Sequence, residues 1–159
     1  TLEAVGFYDQ TDAFVARFHS NGALAWAVRA GGEGEDKAQG VAALPDGSCV
    51  VTGWFARTAT FGEGEANETV LEAAGGSSGG VDDHDLFIAR YAPDGTLAWA
   101  RRAGADGDDV GWDVAVQDEG TALVVGSFEG FAVFGQGETN HTLLESAGWF
   151  DVFVARYVI

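Results

Sequence analysis

The sequence predicts an all-β repeat protein, and three observations carry that prediction. Residues 12–75 return almost unchanged at residues 85–148, at a constant offset of 73. Self-similarity at a fixed period marks an architecture in which each unit buries its apolar face against the next. Helical periodicity is nearly absent, and short β-rich runs alternate with turn residues that recur in register. Gly is abundant at 24 residues and Pro scarce at 2, without a collagen period, as suits short strands joined by tight turns.

The elements follow in order. Residues 1–11 form an N-terminal strand segment, with a strand at about 2–6. Repeat 1 covers 12–75, with strands at 13–18, 23–29, 40–44, 48–55, 58–61 and 69–73. Asn21-Gly22 joins Phe14-Val15-Ala16-Arg17-Phe18 to Leu24-Ala25-Trp26-Ala27, and Asp46-Gly47 joins the next pair. These dipeptides are strong hairpin signals, because both residues tolerate positive φ. Residues 76–84 form a Gly/Ser/Asp loop. Repeat 2 covers 85–148, with strands at 86–91, 96–102, 113–117, 121–128, 131–134 and 142–146. Its turns are Asp94-Gly95 and Glu119-Gly120, and Phe87-Ile88-Ala89-Arg90-Tyr91 restates the first strand. A partial third copy, 149–159, contains Asp151-Val152-Phe153-Val154-Ala155-Arg156-Tyr157. The Phe87–Tyr91 strand is apolar on both faces apart from Arg90, so sheets are expected to stack face on face.

Composition narrows the function classes. At 47% hydrophobic the chain is not a disordered acidic tail. A net charge of −17 leaves no basic face for nucleic acid or anionic membrane. No apolar run is long enough for a transmembrane helix. The single cysteine, Cys49, can form no intramolecular disulfide and reads as a small buried hydrophobe. Thr1 in place of Met predicts a processed or excised product.

The motif order is Asp-x-Phe-Val-Ala-Arg-Tyr, an Asp-Gly turn, a Trp-bearing strand, a Gly-rich acidic turn, Val-Ala-x-x-x-Asp-Gly, then a Val-Val-x-Gly strand. This resembles the SBBP-type bacterial β-propeller repeat family over nearly the whole chain. The resemblance implies tandem propeller-like blades of antiparallel sheet, about two repeats, too few to close a propeller alone. It also implies an extracellular or cell-surface location.

The ends are out of phase. The Asp-x-Phe-Val-Ala-Arg strand occurs three times, but the Leu-Ala-Trp-Ala strand and the Val-Ala…Asp-Gly hairpin occur twice. Both ends read like repeat interiors, without the polar caps that terminal repeats carry. Such ends expose apolar faces and unpaired edges that template pairing with another chain. Three outcomes fit: a fragment of a longer propeller, a closed ring of copies, or a head-to-tail filament. The expectation is a non-enzymatic, exported structural protein that self-associates through its incomplete end blades. The alternative is a carbohydrate- or protein-binding module of a closed or oligomeric propeller.

Several residues are candidates for chemistry. Gly31-Gly32-Glu33-Gly34-Glu35-Asp36 and Gly104-Ala105-Asp106-Gly107-Asp108-Asp109 match or approach the Gly-Gly-x-Gly-x-Asp calcium turn of β-rolls. Glu33, Glu35, Asp36, Asp106, Asp108 and Asp109 are therefore candidate Ca²⁺ ligands. The motif occurs once per repeat and not in tandem, so a metal-free turn is the other reading. Asp82, Asp83 and Asp85 form a second acidic cluster. Asn67-Glu68-Thr69 and Asn140-His141-Thr142 are matching sequons, read as glycosylation sites or as turn asparagines before a strand. Arg17, Arg90 and Arg156 sit mid-strand and are expected to pair with acidic residues. Trp54, Trp112 and Trp149 fall outside the repeat frame, as packing or as a contact surface. His19, His84 and His141 have no ligand spacing and read as scattered surface residues. No catalytic triad, zinc motif, P-loop or dinucleotide fingerprint occurs, so no catalytic residue or organic cofactor is expected.

Overall fold

The computed structural model describes residues 2–3, 10–74, 77–78, 81–118 and 120–159. The strand expected at about 2–6 falls mostly outside this set. The strands are β1 (Ala13–Phe18), β2 (Leu24–Glu33), β3 (Asp36–Ala43), β4 (Cys49–Ala56) and β5 (Thr58–Phe61). There follow β6 (Thr69–Glu72), β7 (Ser77–Ser78), β8 (Val81–Asp82), β9 (His84–Tyr91) and β10 (Leu97–Ala103). The last are β11 (Val110–Asp118), β12 (Thr121–Phe128), β13 (Phe131–Phe134), β14 (Thr142–Glu145) and β15 (Asp151–Val158). Among the described residues every pairing is antiparallel, and no sheet closes into a barrel. No helix occurs among the described residues. The all-β expectation holds.

Several bounds differ from expectation. β2 and β3 run into the first Gly-rich acidic segment, and β10 and β11 abut the second, so both are tight strand-to-strand corners rather than free loops. The 76–84 loop carries the small β7–β8 ladder, and β9 begins at His84.

Sheet one runs β1-β2-β5-β6, sheet two β10-β9-β4-β3, and sheet three β11-β12-β15. The β13–β14 ribbon joins the end of β10 through the Gly104–Val133 bridge. Each repeat is therefore split between neighbouring sheets. Sheet two takes β3–β4 from repeat 1 and β9–β10 from repeat 2. Among the described residues only this middle sheet has the full set: the inner hairpin, the Arg-bearing strand, the Trp-bearing strand and the outer ribbon.

The turns show how the glycines act. Gly22, Gly47 and Gly95 have φ of 82°, 87° and 92°, whereas the preceding Asn21, Asp46 and Asp94 do not take positive φ. Only one residue per turn is left-handed, because the loops are type I turns followed by glycine rather than two-residue type I′ loops. The Asn and Asp side chains instead accept from the backbone two residues on, as in Asp46 Oδ1 with the Ser48 N–H at 2.8 Å.

The core consists of two layers, each between a pair of sheets. Val15, Cys49, Val51, Phe55, Phe87 and Tyr91 fill the layer between sheets one and two. Leu86, Ile88, Val124, Phe128 and Phe153 are among those between sheets two and three. The layers are the same interface formed twice. Cys49, Val51, Phe55 and Phe87 of the first correspond by position to Ala122, Val124, Phe128 and Phe153 of the second. Strand β9 feeds both layers, with Phe87 and Tyr91 on one face and Leu86 and Ile88 on the other. Each such side chain contributes about 1.5–3 kcal/mol on burial. Small residues let backbones close up between sheets: a Cβ on Gly40 would come within 2.7 Å of Asp113 Cα.

Candidate interaction surface

Each corner between sheets is pinned by two carboxylates and an arginine. At the first corner Arg29 Nη1 donates to Asp12 Oδ2 at 2.8 Å and also pairs with Glu63. Asp36 Oδ2 accepts the Gly32 N–H at 2.9 Å. At the second, Arg102 pairs with Asp85 and bonds Gln136, and Asp109 Oδ2 accepts the Ala105 N–H at 2.9 Å. Gly31 and Gly104 leave room for the carboxylates. A Cβ on Gly104 would lie 2.5 Å from Asp85 Oδ1 and 2.6 Å from Asp109 Oδ2. Burial pushes Asp36 up to about 7, with Asp12 adding to the rise and the Gly32 N–H opposing it. Burial likewise pushes Asp109 up to about 8 against the Ala105 N–H, helped by Asp85 and Asp108. Asp85 is raised by burial despite Arg102.

This geometry divides the candidate calcium ligands. Asp36 and Asp109 turn inward and close their own corners, while Glu33, Glu35 and Asp106 face outward. Glu35 meets Lys37 at 3.2 Å, and Asp108 meets His84 at 2.9 Å. No group of three or more metal-ligating side chains is gathered among the described residues.

Other candidates find specific places. Arg17 donates to the Gly47 and Pro93 carbonyls at 3.0 and 2.8 Å, and Arg156 to Thr121 Oγ1 at 3.1 Å. Only Arg90 of the three meets a carboxylate, Asp46 at 3.4 Å. Backbone carbonyls and hydroxyls replace the acidic partners expected. Cys49 is buried, as its apolar neighbours predict. Trp54 is buried against the His84 ring at a centroid distance of 4.1 Å, so His84 is half-buried and not a free surface residue. Trp112 and Trp149 are exposed. Asn67 and Asn140 are exposed on the β5–β6 and β13–β14 connections.

The outer sheets each leave one face open, and the two open faces are opposite in kind. On β9 both faces are buried. Its counterpart β1 buries Ala13 and Val15 but exposes Phe14 at 67% and Phe18 at 61%. Its counterpart β15 buries Phe153 but exposes Val152 at 85% and Val154 at 70%. Phe14 and Phe18 occupy the positions of Phe87 and Tyr91, and Val152 and Val154 those of Leu86 and Ile88. Sheet one thus leaves uncovered the kind of face that sheet two gives to the first layer, and sheet three the kind that sheet two gives to the second. The sequence pointed to the ends but missed the Asp–Arg corners. Their signal was present, since Asp12, Arg29 and Asp36 recur as Asp85, Arg102 and Asp109.

No protein-family model and no curated protein matches the chain.

Proposed function

We propose that the protein is a structural subunit that self-associates head-to-tail outside the cell, on the pattern of SBBP-type repeats, and has no catalytic role. The observation that supports this reading is the complementarity of the two open faces. An interface that forms twice within one chain can form again between chains, at the same geometry and with the same residue types. Because the two faces differ, the contact is heterologous and propagates into a filament unless the rotation closes a ring. The open faces also carry large apolar groups, which single domains seldom leave uncovered as a patch.

The test is the mass of the purified chain in solution, beside negative-stain microscopy. Filaments with an axial repeat near one subunit are expected. Val154→Asp puts a charge on an already exposed position, so it should abolish assembly while leaving the melt of the subunit unchanged. A wild-type chain that stays monomeric at high concentration would overturn the proposal and assign these faces to further repeats in a longer chain.

A further inference from the structure

Association through the open faces leaves undecided whether outer sheets stack as separate layers or merge into one. A groove of about 440 Å³ beside β15 decides it, lined by Phe134, Glu138, Asn140, Ala155, Arg156 and Tyr157 among others. Among the described residues β15 pairs only with β12, so the edge facing this groove is unpaired.

The first repeat shows what fills the matching place. There the β5–β6 connection grips the start of β10. Glu65 Oε2 accepts the Leu97 N–H at 2.6 Å, and Asn67 Nδ2 donates to the Leu97 carbonyl at 3.2 Å. Gly62 is pressed so close that a Cβ would lie 2.7 Å from Leu97 Cβ. The second repeat keeps all three residues as Gly135, Glu138 and Asn140. A Cβ on Gly135 would meet no leucine, its nearest atom being Glu138 Oε2 at 3.4 Å, and Glu138 rests 3.6 Å from Arg101. The grip is present, and no strand among the described residues fills it.

We propose that this groove accepts β2 of a second copy, so that β15 of one chain replaces β1 of the next and the two outer sheets merge into one complete sheet. This rests on the self-association proposed above and specifies its geometry. Leu24 is the counterpart of Leu97. Its N–H and carbonyl are the groups that Glu138 and Asn140 would hold. β1 pairs with β2 as Phe18 with Leu24, Arg17 with Trp26 and Ala16 with Ala27. β9 pairs with β10 as Tyr91 with Leu97, Arg90 with Trp99 and Ala89 with Ala100. Both ladders shift register at the same place. β15 carries the same series at Ala155, Arg156 and Tyr157, so it can take β2 in that register without loss of a ladder bond. The exchange supplies the inner hairpin that sheet one lacks, and the Trp-bearing strand and outer ribbon that sheet three lacks. It also buries both faces of β15, as both faces of β9 are buried. Strand addition at an open edge is an established way for one chain to recognise another.

The experiment mixes full chains carrying Ala27→Cys with full chains carrying Ala155→Cys under mild oxidation. Merged sheets place these positions directly opposite, within disulfide reach. A cross-linked pair is expected only in the mixture. Association without this cross-link would overturn strand exchange and leave stacked sheets as the mode of assembly. Absence of any association would overturn self-association itself. As a second readout, Glu138→Ala with Asn140→Ala should weaken association at least about tenfold, from the loss of two hydrogen bonds, with the subunit melt unchanged. Unaltered association in that variant would also overturn the exchange.

Discussion

Burial opposes the charge of Asp36 and Asp109 and raises them to about 7 and about 8, although Arg29 and Arg102 act against the rise. Groups whose folded value lies above the unfolded one, near 3.8, stabilise the fold fully below that value. That contribution is lost as pH climbs to about 7 for Asp36 and about 8 for Asp109. Exposed Asp46 and Asp94 act in the opposite sense, since hydrogen bonds from Ser48 and Thr96 lower them. Their contribution disappears only as pH falls below the ordinary carboxylate range. The melting temperature should therefore be higher near pH 5 than near pH 9. Asp109→Asn keeps an acceptor for the Ala105 N–H and removes the charge, so it should raise the melt at pH 9 by roughly 3–6 °C and flatten the profile. Calorimetry across pH checks this, and a profile unchanged by the substitution would show that the corner ionises without cost.

Strand β9 and its two relatives compare one element in three environments. Ile88 is wholly buried in the layer between sheets two and three, while its counterpart Val154 is exposed. Ile88→Ala should cost the subunit about 2–5 kcal/mol, whereas Val154→Ala should leave its unfolding midpoint nearly unchanged. Denaturant titration of both variants under dissociating conditions makes the comparison. Much of this was legible beforehand. Alternation of apolar residues on both faces of Phe87–Tyr91 predicted stacked sheets, and the extra copy of that strand predicted unfinished ends. The division of each repeat between two sheets was not legible. Sequence similarity marks where a unit recurs, whereas backbone pairing decides which strands share a sheet, and β4 pairs forward with β9 across the repeat boundary. The Glu-x-Asn pair of each outer connection was read for its sequon. Its hold on Leu97 depends on a contact 30 residues away for Asn67, which no local pattern reveals.

Taken whole, each subunit has a charge of −17, and subunits that join head-to-tail bring like charges together. Salt should promote assembly, lowering the critical concentration as ionic strength rises from about 0.01 to 0.15 M and the screening length falls from about 30 to 8 Å. Light scattering across that range checks the sign, and a critical concentration that rises with salt would point to an electrostatic rather than an apolar contact. The shared register of β1 and β15 has a kinetic consequence. Under the proposed strand exchange a free subunit would be its own inhibitor, because β1 plugs the place that a neighbour must enter. Growth would then wait on the plug. At high subunit concentration the elongation rate should level off at the rate at which β1 leaves β2, rather than climb in proportion. The same delay would keep newly made chains apart until they reach the end of a growing fibre.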